Sequence, residues 1–225
     1  MFSEKALKLI LDEEGLDQPS LWPGKSSGIT IGVGYDLGYE SNFENDWKPY
    51  LSPDEIARLK TVLGLKGQDA AKRAPEFKDI KISREEANRV FMDKTLPEYT
   101  RQTRVAFPGF DSLPLDAQGA LVSLVYNRGA GMSGDTRLEM RNIRDLVPNM
   151  DLKGIVDQIR SMKRLWPNDS ALKNRRDHEA DLVESCILTS MVEPGLEEAK
   201  EIPQPQGLAG LVGALIKIIR SVLKI

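Results

Sequence analysis

The chain has 225 residues, 40% apolar and 29% charged, enough to bury an ordinary globular core as one or two domains without crosslinks. Its 31 Lys+Arg against 34 Asp+Glu give −3, too even a balance for the basic surplus that nucleic-acid binding requires. Cys186 is the one cysteine and His178 the one histidine, which excludes a disulfide scaffold and a His-rich zinc site; no metal or cofactor is expected.

The N-terminal stretch carries Glu4, Asp12, Glu13 and Glu14 around a short apolar run and lacks a small-residue cleavage signature, so no secretory leader is expected. Ser3 is a natural N-cap. Leu7, Ile10, Leu11 and Glu14 follow at helical spacing until Gly15, predicting a first helix of about three turns. Residues 16–28 are rich in Pro, Ser and Gly and read as loop. In GITIGVGYDLGY (28–39), Ile29, Ile31, Val33 and Tyr35 alternate with Thr30, Gly32, Gly34 and Asp36, the period of a half-buried strand or hairpin.

Helical signals dominate from Ser52 onward. SPDE at 52–55 and SREE at 83–86 place Ser three residues before Glu, the capping-box pattern. LPLDAQGALVSLVYN (113–127) is apolar almost all round, predicting a buried central helix. Further helices are expected near 135–147, 151–164 and 171–190. The segment 193–207 is polar and Pro-interrupted, a linker by composition. Residues 208–225 place Lys217, Arg220 and Lys224 on one stripe of an otherwise apolar helix. Residues 207–225 carry +3 and leave −6 on the rest. Three charges in its last half favour an interfacial over a transmembrane orientation, so contact with an anionic membrane surface is expected; the alternative is docking on the domain or on a partner. The domain plan is thus 1–192, 193–207 and 208–225.

Glu14 shares the apolar face of Leu7, Ile10 and Leu11, whereas Asp12 and Glu13 point elsewhere. Partial burial and the negative end of the helix dipole disfavour its charged form, as a general acid needs; the alternative is a boundary glutamate that turns to water. Thr30 and Asp36 share a strand face but would lie roughly 20 Å apart in a fully extended run, at about 3.3 Å per residue. Serving one site therefore requires a fold-back at Gly32 or Gly34.

The segments EEGL (13–16), TIGVGYDLG (30–38), ISREEA (82–87), LVSLVYNRGAG (121–131) and LKNRRDHEADL (172–182) together resemble the phage-type lysozymes, glycoside hydrolase family 24, in its pesticin-like branch. The resemblance implies an α+β, mainly α, two-lobed fold with a small β-hairpin region. It also implies a muramidase cleaving the β-1,4 bond between N-acetylmuramic acid and N-acetylglucosamine in peptidoglycan, with a leaning towards inversion. Under it, Glu14 matches the general acid and Thr30 the threonine that holds the attacking water. Asp36, six residues after the threonine, matches the aspartate of the pesticin-like branch; the T4-like position, six before, is Gly24. Asn127, at the end of the central helix, and Arg128 become substrate contacts, although a helix C-cap with left-handed Gly129 accounts equally for this stretch.

The pKa values of Glu14 and Asp36 should diverge, with Asp36 left anionic on a polar, Gly-rich face. The cluster Arg160, Lys163, Arg164, Lys173, Arg175 and Arg176 would attract the carboxylates of peptidoglycan stems or simply form a solvated face. The expectation is a monomeric phage or prophage endolysin, made in the host cytoplasm and acting on peptidoglycan in the periplasm, with no nucleic-acid partner. Competing readings are a secreted antibacterial effector with the same fold, a lytic transglycosylase, and a membrane-permeabilising protein acting through its C-terminal helix.

Overall fold

The computed structural model describes residues 2–13 and 15–192. Contacts divide the chain into Met1–Leu188 and Thr189–Ile225. Glu14, the segment 193–207 and the predicted helix 208–225 with Lys217, Arg220 and Lys224 lie outside the described residues.

Ten α-helices and one two-stranded hairpin make up the described part. In chain order they are α1 (Glu4–Glu13), β1 (Thr30–Ile31), β2 (Tyr35–Asp36), α2 (Phe43–Trp47), α3 (Pro53–Lys60) and α4 (Gly67–Arg73). Then come α5 (Arg84–Val90), α6 (Leu96–Ala106), α7 (Leu115–Arg128), α8 (Leu138–Leu146), α9 (Leu152–Ser161) and α10 (Ser170–Val192). The mainly helical α+β architecture expected from the sequence is what forms.

Local chemistry accounts for the helix starts. Ser3 Oγ accepts from Ala6 N at 3.1 Å and so caps α1. Ser52 and Ser83 close complete capping boxes with Glu55 and Glu86, opening α3 and α5. Between α5 and α6 the backbone widens into a π-helical turn over Phe91–Thr95, and Pro97 sits at the start of α6, where its missing N–H is harmless.

The central helix is α7, buried from Gly119 through Val125. A Cβ on Gly119 would lie 2.2 Å from Ala6 Cβ, so only glycine lets α1 lie against α7. Ser3 Oγ donates to Asp116 across the same contact, 113 residues on, and Ala6 meets Gly119 at that same offset. The two helices therefore run in one direction here, and the C-terminal end of α1 heads for the end of α7 that carries Tyr126.

Tyr126 Oη in turn donates to Val33 O at 3.0 Å, docking the hairpin turn on that end. One buried helix thus sets the position of both α1 and the hairpin that carries Asp36.

The hairpin differs from the expected half-buried strand. Each strand is two residues long, and Thr30, Ile31, Val33 and Tyr35 are all buried, so both faces are covered. The cause is packing on each side: Gly32 lies against the Trp47 ring, and Gly34 against Tyr126.

Candidate active site

The chain folds back where the spacing of Thr30 and Asp36 requires it. Gly32 and Gly34 take φ of +65° and +62°, and the register sets Thr30 directly across from Asp36, with Ile31 across from Tyr35. Opposed residues of an antiparallel pair share a face with Cβ atoms about 4.5–5.5 Å apart. Thr30 and Asp36 are therefore brought together.

The Asp36 carboxylate sits in a backbone cradle. Its Oδ1 accepts from Gly28 N at 2.9 Å and from Gly38 N at 2.8 Å, and its Oδ2 takes a longer bond from Gly28 N at 3.2 Å. A Cβ on Gly28 would stand 2.4 Å from that Oδ1, so the cradle depends on glycine there. Burial raises the Asp36 pKa above its usual 3.8, against the pull of the Gly38 and Gly28 N–H groups and of Lys66. Half-burial thus makes this carboxyl a weaker acid than a solvated one. Oδ1 is saturated by two donors, while Oδ2 keeps lone-pair capacity for a water.

Asp17, the one acid between Glu14 and Thr30 and without an assigned role in the sequence, is brought to this hairpin. Its backbone exchanges two hydrogen bonds with Gly32, at 2.7 and 2.9 Å. Burial raises its pKa, the Gly34 N–H opposes that rise, and the charge of Asp36 adds to it. No local pattern could have signalled this, because the bridge joins a loop residue to a turn 15 positions away. The bridge fixes the chain on the C-terminal side of residue 14, while α1 ends at Glu13 on the other side.

On β2, Tyr35 points away from Asp36. Its hydroxyl donates to buried Asp46 at 2.8 Å, beside a cavity of about 730 Å³ that Tyr39, Glu40, Glu98 and Tyr99 also line. Glu40 is held above the usual carboxylate range by burial and then by the charges of Asp46, Asp36 and Glu98.

Asn127 and Arg128 end α7 on a separate groove of about 360 Å³ with Thr136, Arg137 and Trp166. Asn127 is exposed, and the Arg128 guanidinium lies 4.8 Å from the centre of the Trp166 ring. Gly129 takes φ of +74° with ψ of +165° at the helix end, a positive-φ conformation that suits glycine but not the left-handed helical cap the sequence suggested.

The cationic stretch 160–176 is largely consumed internally. Arg160 pairs with Asp181 and Glu184, Lys163 with Asp177, and Arg164 with Glu139. Arg175 and Arg176 are buried with Glu179. These partners come from α8 and α10, so the stretch is neither a bare solvated face nor a ready anion surface. Among the described residues, no cluster of three or more His, Cys, Asp or Glu could hold a metal ion.

Residues 9–144, more than half of the chain, match the family model described as Pesticin, a bacterial toxin homologue of phage lysozyme, C-terminal part. No curated protein matches the chain.

Proposed function

The chain belongs to the pesticin family of phage-lysozyme homologues, and from that premise we propose that it is a muramidase cleaving the β-1,4 bond between N-acetylmuramic acid and N-acetylglucosamine. The family is one of lysozyme-type glycoside hydrolases acting on peptidoglycan. The observation that carries the finer reading is the register pairing Thr30 with Asp36 on one face of the hairpin. Among the described residues no side-chain hydrogen bond engages the Thr30 hydroxyl, and Asp36 Oδ2 has spare acceptor capacity. A water held between them would be oriented by the hydroxyl and deprotonated by the carboxylate as it attacks the anomeric carbon.

Glu14 is the general acid of this reading and gives its proton to the leaving oxygen. Asn127 and Arg128 contact the substrate from the end of α7. A water-holding pair is what inversion requires, because the nucleophile is then water and not the carboxylate itself.

Reducing ends released from purified peptidoglycan test the assignment. The wild-type protein should produce them, and Glu14→Gln should lower the rate by about a hundredfold or more, the contribution of one positioned acid. A fully active Glu14→Gln protein removes Glu14 from the mechanism, and anhydro-muramic products would replace hydrolysis with transglycosylation.

Lysis of a phage host from the periplasm, after synthesis in its cytoplasm, is the setting proposed for this activity. The family description favours a second reading, an antibacterial toxin with the same chemistry. A neighbouring holin gene supports the first, and an immunity gene the second.

We further propose that residues 208–225 bind anionic membrane through Lys217, Arg220 and Lys224, which share one stripe of an apolar sequence. Truncation after residue 206 should abolish co-sedimentation with phosphatidylglycerol vesicles and leave wall hydrolysis intact. Undiminished vesicle binding by the truncated chain removes the membrane role.

A further inference from the structure

Residues 15–18, which follow Glu14, form neither helix nor strand, yet three of them are tied to distant parts of the chain. Gly15 O accepts from the Arg84 guanidinium at 3.3 Å, Asp17 bridges Gly32, and the Gln18 side chain reaches Ile82, just ahead of α5. The Gln18 contact is double. Its Nε2 donates to Ile82 O at 2.8 Å and its Oε1 accepts from Ile82 N at 2.9 Å, across 64 positions of sequence. A carboxamide offers the same donor and acceptor as a peptide group, so Gln18 pairs with residue 82 much as an opposed residue does in an antiparallel ladder. Pro19 favours extended backbone at residue 18, and Leu21 N donates to Gln18 O at 2.9 Å, turning the chain away.

These ties close a ring of three elements. Ile82 precedes Ser83, whose capping box opens α5. Ala87, one turn along that helix, lies against the hairpin turn: a Cβ built on Gly32 would stand 3.3 Å from the Ala87 Cβ. Gly32 in turn holds Asp17 through bonds of 2.7 and 2.9 Å. Without the Gln18 amide, the segment would be held by the bridge at one residue and by the longer Arg84 bond, and it could swing about Asp17. With the amide in place, both its position and its direction are fixed. The amide is also neutral, so it adds no charge beside Asp17, whose carboxyl burial holds above its ordinary range, against the Gly34 N–H and with the charge of Asp36.

We propose that Gln18 is a positioning residue for the general acid: by pinning residues 15–18 to Ile82, it sets where Glu14 stands relative to the water-holding pair Thr30 and Asp36. This rests on the muramidase reading and adds to it a side chain that touches none of the reacting groups. Its effect passes through the backbone alone, from Ile82 to Gln18 and from there along the segment to Glu14. Thr30 and Asp36 have their own anchors in the hairpin register and at Gly28 and Gly38, so loss of the Gln18 contact displaces the acid and leaves the water-holding pair in place.

A double-mutant cycle with Glu14 tests this on the full chain, with rates of reducing-end release from peptidoglycan measured well below Tm. Gln18→Met keeps the length and bulk of the side chain and removes both bonds to Ile82. Alone it should lower kcat by about ten- to a hundredfold, the cost of misplacing a reacting group by about 1 Å or less, with KM little changed. Added to Glu14→Gln it should cost nothing further, because the group it places is already gone. A merely structural role would lower the rate equally in both backgrounds. Additive losses, or a wild-type kcat in Gln18→Met, overturn the inference.

Gln18→Glu reads the same contact should the methionine variant fold poorly. Its carboxylate still accepts from Ile82 N but has no N–H for Ile82 O, so its kcat should fall between those of the wild type and Gln18→Met, and its effect should likewise vanish beside Glu14→Gln. A Gln18→Glu protein as active as the wild type, or one whose loss persists in full beside Glu14→Gln, counts against the proposal. The two failures are separable. A fully active Glu14→Gln protein removes Glu14 from the mechanism, whereas a large loss in Glu14→Gln that Gln18→Met deepens in full leaves the general acid standing and removes only the role of Gln18.

Discussion

Exchanging Asp36 for Asn is expected to lower kcat/KM on peptidoglycan by about a hundred- to ten-thousandfold, the range for loss of one acid–base group, while the fold survives. The geometry makes this substitution discriminating. An asparagine at 36 can turn its carbonyl oxygen to the Gly28 and Gly38 N–H groups and keep the two short bonds that Asp36 Oδ1 makes at 2.9 and 2.8 Å. What it places at the Oδ2 position is an NH2 group, which can neither accept a proton from water nor carry charge. A carboxylate that serves only to clip the hairpin to residues 28 and 38 would therefore be replaced almost without loss, and an active Asp36→Asn protein would identify it as such.

Asp36→Ala is the companion variant. It leaves both N–H groups without their acceptor, at about 1–3 kcal/mol for a buried donor, so it should lose thermal stability as well as activity. A pH profile adds an independent readout. The burial that raises the Asp36 pKa means that the carboxylate forms only above the ordinary 3.8. The acid limb of the wild-type kcat/KM should accordingly lie above 3.8, and residual activity in Asp36→Asn should lack that limb. Removing the Lys66 charge, which favours the ionised form, moves the limb to still higher pH.

The helical frame was legible because its signals are local. The boxes at Ser52 and Ser83 name their own helix starts, and the run from Gly119 to Val125, apolar but for Ser123, marks a buried helix. The fold-back between Thr30 and Asp36 was legible too, since two glycines stand where a turn needs positive φ. The burial of the hairpin was not, because its covers, Trp47 and Tyr126, come from α2 and α7, and alternation records only one neighbour. The half-burial of Asp36 was hidden for a related reason: a polar strand face predicts solvent only if nothing else lies over it. Arg160 and Lys163 find their acids at Asp177, Asp181 and Glu184, one to two dozen residues on, across a helix-to-helix contact that no spacing announces. Glu14 was read from its spacing to Leu7, Ile10 and Leu11 in the sequence, and its role rests on family membership and on the variant proposed above.

Gly34→Ala carries the largest stability effect expected in the hairpin. Alanine at φ of +62° costs about 1–2 kcal/mol in backbone strain, and its Cβ would lie 2.0 Å from Tyr126 Oη. The tyrosine must withdraw, losing its bond to Val33 O, worth about 1 kcal/mol, and disturbing its edge contacts with Phe91 and Tyr99. A total of about 3–5 kcal/mol should lower Tm by roughly 6–20 °C at about 2–4 °C per kcal/mol for a domain of this size.

Adding Tyr126→Phe removes the clashing oxygen and leaves the ring carbon at 3.1 Å as the nearest atom, so the double variant should regain part of the loss. The coupling between the two sites should exceed about 1 kcal/mol. Strictly additive losses would mean that Tyr126 does not dock the turn. Activity measured well below Tm separates folding from positioning: Thr30 and Asp36 flank the turn that Tyr126 holds, so a displaced turn lowers kcat in protein that remains folded, and an unaltered kcat would detach the water-holding pair from that anchor.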